Sequence, residues 1–164
     1  MESTCPGCGL RMPQREALPA GETYYNTSAE CWSVFTEVLA AEYSNAVLFG
    51  QVHQLTVDAY AVQHAGGPHP DKSVDVHLAG LYLTLVRGMN PPSVPPQLQR
   101  IVASTTKWPH FEPPPAPTAL TVFDVATAST PDEHAARVRA WSRLVWEAWR
   151  AHHDGVAALV DAHA

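Results

Sequence analysis

The chain has 164 residues, 46% of them apolar, with a formal net charge of −6 when histidines are neutral. That length carries one core and is short for two, and the negative balance leaves no positive field for a phosphate backbone, which excludes nucleic acid as the main partner. No stretch is long and apolar enough to span a bilayer and no basic region with an apolar run opens the chain, so we expect a cytoplasmic protein without a membrane partner.

Four residues from its start the chain carries Cys5-Pro6-Gly7-Cys8-Gly9. A two-residue gap followed by Gly forms a knuckle that presents two thiolates to one metal ion. The third and last cysteine, Cys31, stands apart. Three cysteines make no complete disulfide framework, and a reducing compartment favours metal ligation. A redox-active pair opens a helix after a strand, whereas we expect no strand before this one. Thiolate donors select zinc over the hard cations, which want oxygen, so Zn2+ is the expected cofactor.

After a loop rich in Gly, Pro and Tyr, Thr27-Ser28-Ala29-Glu30 reads as a capping box opening a helix to about Asn45. Cys31 lies in its first turn and shares a stripe with Phe35, Val38 and Glu42, so it points towards the core. A second helix spans about 51–64 and stops at Gly66-Gly67-Pro68. It is apolar nearly all round, as a central helix would be. Ser73 caps a third helix to about Arg87, with Val74, Leu78, Leu81 and Leu85 buried. Nine of the 27 residues from 91 to 117 are proline, too many for a helix, and Trp108 and Phe111 within that segment argue for packing on the body. Residues 118–125 alternate weakly and predict a short strand. Thr130-Pro131-Asp132-Glu133 starts a last long helix to about His153, with Trp146 set to pack on the proline-rich segment and Gly155 interrupting before a tail helix.

The expected fold is therefore mainly α: an antiparallel bundle of about four long helices in one domain over 1–164. Residues 1–26 form the Cys knuckle and loop, 27–88 three helices, 89–129 the proline-rich crossover and 130–164 the C-terminal helices. Antiparallel neighbours bring the start of the first helix, the end of the second, the start of the third and the end of the last to one end of the bundle. Those positions carry Cys31, His64, His77 and the pair His152-His153. His53 is eleven helical residues from His64, about 16 Å away, and cannot share an ion with it.

Two ligand sets are consistent with this arrangement. The first is Cys5, Cys8, Cys31 and His64, with His77 as alternative fourth ligand and His152 pointing inward in preference to His153. The second keeps the cysteines apart and sets His64, His77 and His152 around an ion with an open, water-bearing position, the catalytic pattern. A bundle with three convergent histidines resembles, in architecture, the DinB and YfiT superfamily of metal-dependent hydrolases and thiol transferases. The first set implies a binding or regulatory module for a small molecule or protein; the second implies a hydrolase or transferase.

The remaining polar residues have plainer readings. His53 and His134 on apolar faces are satisfied core residues, and His69 and His110 in loops are exposed. Asp58 and Gln63 either orient ligating imidazoles or make ordinary interhelical bonds. Glu42, a carboxylate on an apolar stripe, needs a partner, and His53 is the nearest. The runs CPGCG, Glu30-Cys31-Trp32, HQLTVDAY from His53 with Gln63-His64, and Trp146-Glu147-Ala148-Trp149 with His152-His153 resemble a bacterial family of unknown function across almost the whole chain. The resemblance implies that these motifs belong to one unit and brings no activity with it.

Overall fold

A computed structural model describes residues 1–15 and 24–163; the middle of the loop expected before the first helix lies outside them. The described residues form seven α-helices and one two-stranded antiparallel sheet, so the fold is mainly α as expected. The long helices are α1 (Ala29–Tyr43), α2 (Ala46–Gln63), α3 (Asp71–Leu85) and α6 (Pro131–Ala148). The short ones are α4 (Val94–Ser104), α5 (Val122–Ala126) and α7 (His153–His163). Strands β1 (Glu2–Thr4) and β2 (Arg11–Pro13) form the sheet.

Helix α2 is central and packs on α6, α3 and α1. Its buried residues, Leu48, Val52, Leu55, Ala59, Tyr60 and Val62 among them, point in several directions, which is why its sequence is apolar nearly all round. One hydrophobic cluster runs from Cys5 and Cys8 in the hairpin to Val160 in α7, so the hairpin shares the helices' core.

Local chemistry explains where the elements depart from expectation. Ser28, not Thr27, caps α1: its Oγ accepts from the Cys31 N–H at 3.1 Å. Helix α2 starts five residues early because Asn45 accepts from the Leu48 N–H at 3.0 Å, a cap that the nearby Gly50 obscures in the sequence. Helix α3 starts behind Pro70, and Ser73 instead meets His69 Nε2 at 2.7 Å.

The prolines at 91–96 do not exclude helix. They form a single 3₁₀ turn over Pro91–Ser93 and then occupy the first turn of α4, where backbone N–H groups have no helical acceptor to lose. The expected strand at 118–125 is instead the short helix α5. A capping box builds it, with Asp124 accepting from the Thr121 N–H at 2.8 Å and Thr121 Oγ1 accepting from the Phe123 N–H at 3.2 Å. Helix α6 ends at Ala148, and a 3₁₀ turn at Arg150–His152 leads into α7. Gly155 does not interrupt but lies inside α7, where a Cβ would come within 2.8 Å of the Phe111 ring. Trp146 is buried and stacks on His153 at 3.9 Å.

The α2–α3 contact depends on Gly80. A Cβ there would collide with Oδ2 of Asp58 and stand 2.6 Å from its Cγ, and Asp58 is fully buried. Asp58 accepts from Gln54 Nε2 at 3.0 Å and meets His77 Nδ1 at 2.8 Å. Gly80→Ala must push a buried carboxylate off both partners or spread the helices. We expect it to cost about 3 kcal/mol, read as a lower urea midpoint. A loss under about 0.5 kcal/mol would show that the contact is loose.

Candidate metal centre

The cysteine knuckle is the loop of a β-hairpin. Ser3 pairs with Met12 in antiparallel register, so Cys5 to Gly9 fills the turn between the strands. The expectation that no strand precedes Cys5 is therefore corrected by β1; the element after Cys8 is β2 and not the helix that a redox pair would open. The Cys5 N–H donates to the Leu10 carbonyl at 2.8 Å and the Gly9 N–H to the Cys5 carbonyl at 2.9 Å, closing the turn. Gly9 takes a φ of 76°, a conformation that suits glycine.

The knuckle rests on the C-terminal end of α2, and Gly7 allows the approach. A Cβ on Gly7 would collide with the Asn26 carbonyl oxygen and stand 2.7 Å from His64 Cδ2. Asn26 ties the adjoining loop to the same place, its N–H donating to the His64 carbonyl at 3.0 Å and its side chain to the Ala65 carbonyl at 3.1 Å.

Cys5, Cys8, Cys31 and His64 converge at this junction. Their ligand atoms all lie within 4.8 Å of one another, and among the described residues this is the group compatible with a metal ion. Each is 2% exposed or less. The sulfurs of Cys8 and Cys31 are 3.8 Å apart, and Cys31 Sγ is 3.4 Å from His64 Nε2. His64 Nδ1 lies 2.7 Å from the Tyr60 carbonyl, so it carries a proton and donates, which turns Nε2 towards the sulfurs. Tyr60 O–H donates to Cys31 Sγ at 3.6 Å and pairs with Thr27 Oγ1 at 2.6 Å; Thr27 Oγ1 stands 3.6 Å from Cys5 Sγ. The two hydroxyls thus form a polar layer behind the sulfurs.

The electrostatics describe a site that wants a cation. The neighbouring Cys31 and Cys8 thiols pull the Cys5 thiol far below its ordinary value, because they stabilise one thiolate. The same kind of neighbours, Cys31 and Cys5, push Cys8 far up together with burial, since a second negative charge beside the first is opposed. Burial would lower His64, but the sulfurs of Cys31 and Cys5 raise it to about 9. Burial and the Cys31 sulfur likewise raise Tyr60, keeping its hydroxyl a donor. A bound cation removes the conflict by allowing further thiolates and a neutral imidazole.

The other histidines are engaged elsewhere. His77 Nδ1 meets Asp58 at 2.8 Å, and His152 Nε2 donates to the Glu112 carbonyl at 3.0 Å. His153 donates to the Trp146 carbonyl at 2.9 Å. His69, expected to be exposed, is buried between the His64 carbonyl at 3.0 Å and Ser73, and burial lowers its pKa to about 4. His110 is exposed as expected, bound to Asp71 at 2.7 Å.

Gln63 makes an interhelical tie and does not orient a ligand. It donates to Thr118 Oγ1 at 2.6 Å and accepts from Trp141 Nε1 at 3.0 Å. Glu42 does meet His53, at 2.9 Å, and also His134 at 2.8 Å and Thr56 at 2.6 Å, partners its position in the sequence does not reveal. Thr27, Asn26 and Gly7 are the contributors that sequence reasoning missed. Only the glycine inside a CxxC carried a usable signal.

Among the described residues no helix is long and apolar enough to cross a membrane. No curated protein and no solved structure matches the chain. Residues 3–150, which include all four converging ligands, match a family of unknown function, DUF5946, and the chain belongs to that family.

Proposed function

We propose that Cys5, Cys8, Cys31 and His64 hold one Zn2+ in a closed four-ligand site that ties the hairpin to the ends of α1 and α2. The protein then acts as a binding or regulatory module for a small molecule or another protein, in a reducing cytoplasm where its thiols stay available to metal. The observation that carries the reading is the complete burial of a Cys₃His set. A tetrahedron with Zn–S bonds of about 2.3 Å has S–S edges of about 3.8 Å, and the Cys8–Cys31 separation is 3.8 Å. When bound, the ion would supply the charge that the crowded thiolates lack.

Burial also favours a structural over a catalytic role, since a catalytic zinc keeps an open position for water. The alternative open site of His64, His77 and His152 has less behind it: among the described residues the ligand atoms that gather are those of Cys5, Cys8, Cys31 and His64, while His64 Nε2 faces Cys31 and His152 Nε2 meets the Glu112 carbonyl. Removing metal with a strong chelator tests the proposal. We expect loss of hydrogen-exchange protection in 1–13 and at the C-terminal turn of α2, with a lower melting temperature and most helix retained at 25 °C. Unchanged protection and melting after complete metal removal would contradict it.

A further inference from the structure

A cavity of about 210 Å³ opens beside the first half of α2, lined by Phe49, Gly50, His53, Gln54, Pro91 and Pro95 among others. It is remote from the sulfur cluster, because His53 lies eleven residues from His64, about 16 Å along the helix. Its walls carry no Lys, Arg, Asp or Glu. Gly50 creates part of the space: a Cβ there would meet nothing within 4 Å.

Gln54 gives its amide N–H groups to Asp58, so what the polar walls keep for a ligand are acceptors, a free ring nitrogen of His53 beside the Gln54 amide oxygen. The orientation of His53 is set from behind. Its Nδ1 lies 2.9 Å from Oε1 of Glu42, which is fully buried. The other carboxylate oxygen takes Thr56 Oγ1 at 2.6 Å and His134 Nε2 at 2.8 Å. Burial opposes the charge on Glu42, but hydrogen bonds from His134, His53 and Thr56 outweigh it and hold the carboxyl below its ordinary value. An anionic acceptor keeps the proton of a neutral imidazole on Nδ1, so Nε2 is the lone-pair nitrogen. His53 Nε2 has no hydrogen-bond partner among the described residues. Phe49 stacks on the ring at 4.1 Å and 17°, fixing its plane.

We propose that this cavity binds a single planar ring carrying one O–H or N–H group, of the phenol or azole class, which donates to His53 Nε2. The apolar proline and glycine walls suit a flat ring. Polar walls that offer acceptors and no side-chain donor select a ligand with a donor, and the missing cation disfavours carboxylates and phosphates. The volume falls below the roughly 300–1,000 Å³ of sites for drug-sized ligands, which limits the occupant to one ring. The site is independent of the zinc reading and shares no residue with it.

The test is NMR of the full-length, metal-loaded protein, following the His53 ring nitrogens and the Gly50 amide while phenol, toluene or benzoate is added. Phenol should shift both signals saturably, toluene should bind at least tenfold more weakly, and benzoate should leave them unmoved. Gly50→Leu, a substitution that improves helix propensity while filling the space, should remove phenol binding. His53→Phe should keep the apolar walls and abolish the preference for phenol over toluene. The proposal is overturned if phenol gives no saturable shift at His53, if toluene binds as well as phenol, or if His53→Phe keeps the preference.

Discussion

Replacing Cys31 by serine should drop bound metal from one ion per chain to well below one and cost about 4 kcal/mol of stability. A hydroxyl does not ionise as a thiolate does near neutral pH, and losing a metal that is present at about 1,000 times its Kd removes about 4 kcal/mol of linked stabilisation. Cys31 is the pivotal test because it is the cysteine furthest from the hairpin in sequence, yet its sulfur sits 3.8 Å from Cys8 Sγ and 3.4 Å from His64 Nε2. Metal analysis and thermal melting of the same sample read both effects. His152→Ala serves as the control, since His152 bonds the Glu112 carbonyl and should keep metal and melting temperature close to those of the parent. One ion per chain in Cys31→Ser, with unchanged melting, would contradict the closed site.

The second large effect concerns Asp75 in α3, far in role from the metal. It is 1% exposed, and neither carboxylate oxygen has a hydrogen-bond partner among the described residues. Burial, aided by the neighbouring charge of Asp71 and partly offset by His110, raises its pKa to about 8 from the ordinary 3.8. The folded state therefore favours the protonated form. Its contribution to stability is fully present below about pH 3.8 and is lost at about 1.4 kcal/mol per unit as pH rises to about 8. Asp75→Asn keeps the shape and cannot ionise. It should match the parent near pH 4 and exceed it by about 3–5 kcal/mol at pH 8, measured by urea denaturation of both proteins at each pH. Comparing the two at equal pH cancels any change in metal occupancy. Equal stability at pH 8 would show that Asp75 reaches water or a partner when ionised.

Much of the centre was legible because its parts are local. The Cys5–Cys8 gap lets two sulfurs reach one ion, and the 3.6-residue stripe through Cys31, Phe35 and Val38 turns Cys31 inward without any knowledge of the fold. Placing His64 needed only that α1 and α2 be antiparallel neighbours. Choosing among His64, His77 and His152 needed more. Each lies near a helix end, and periodicity does not say which nitrogen is already taken. Asp58 from α2 holds His77, and the Glu112 carbonyl in the proline-rich segment holds His152. Both partners are distant in sequence, so only tertiary packing reveals them.

The fold errors share a physical cause, which is that composition hides position. Proline is hostile to a helix interior and harmless in a first turn, so Pro95 and Pro96 could not by their number rule out α4. The β-branched run near Val122 resembles a strand, while the Thr121 and Asp124 spacing of a capping box was present and decided the outcome. Gly50 masked the start of α2, although Asn45 was a suitable cap. In each case a short-range hydrogen bond or a position in the first turn outweighed residue propensity.

X-ray absorption at the metal edge of the purified, full-length protein tests the central claim most directly, because it identifies the element and counts its sulfur and nitrogen neighbours. The account predicts zinc with three sulfurs at about 2.3 Å and one nitrogen at about 2.0 Å, and no water in the inner shell. No bound metal, or a shell of two or three nitrogens with a water and at most one sulfur, would contradict it.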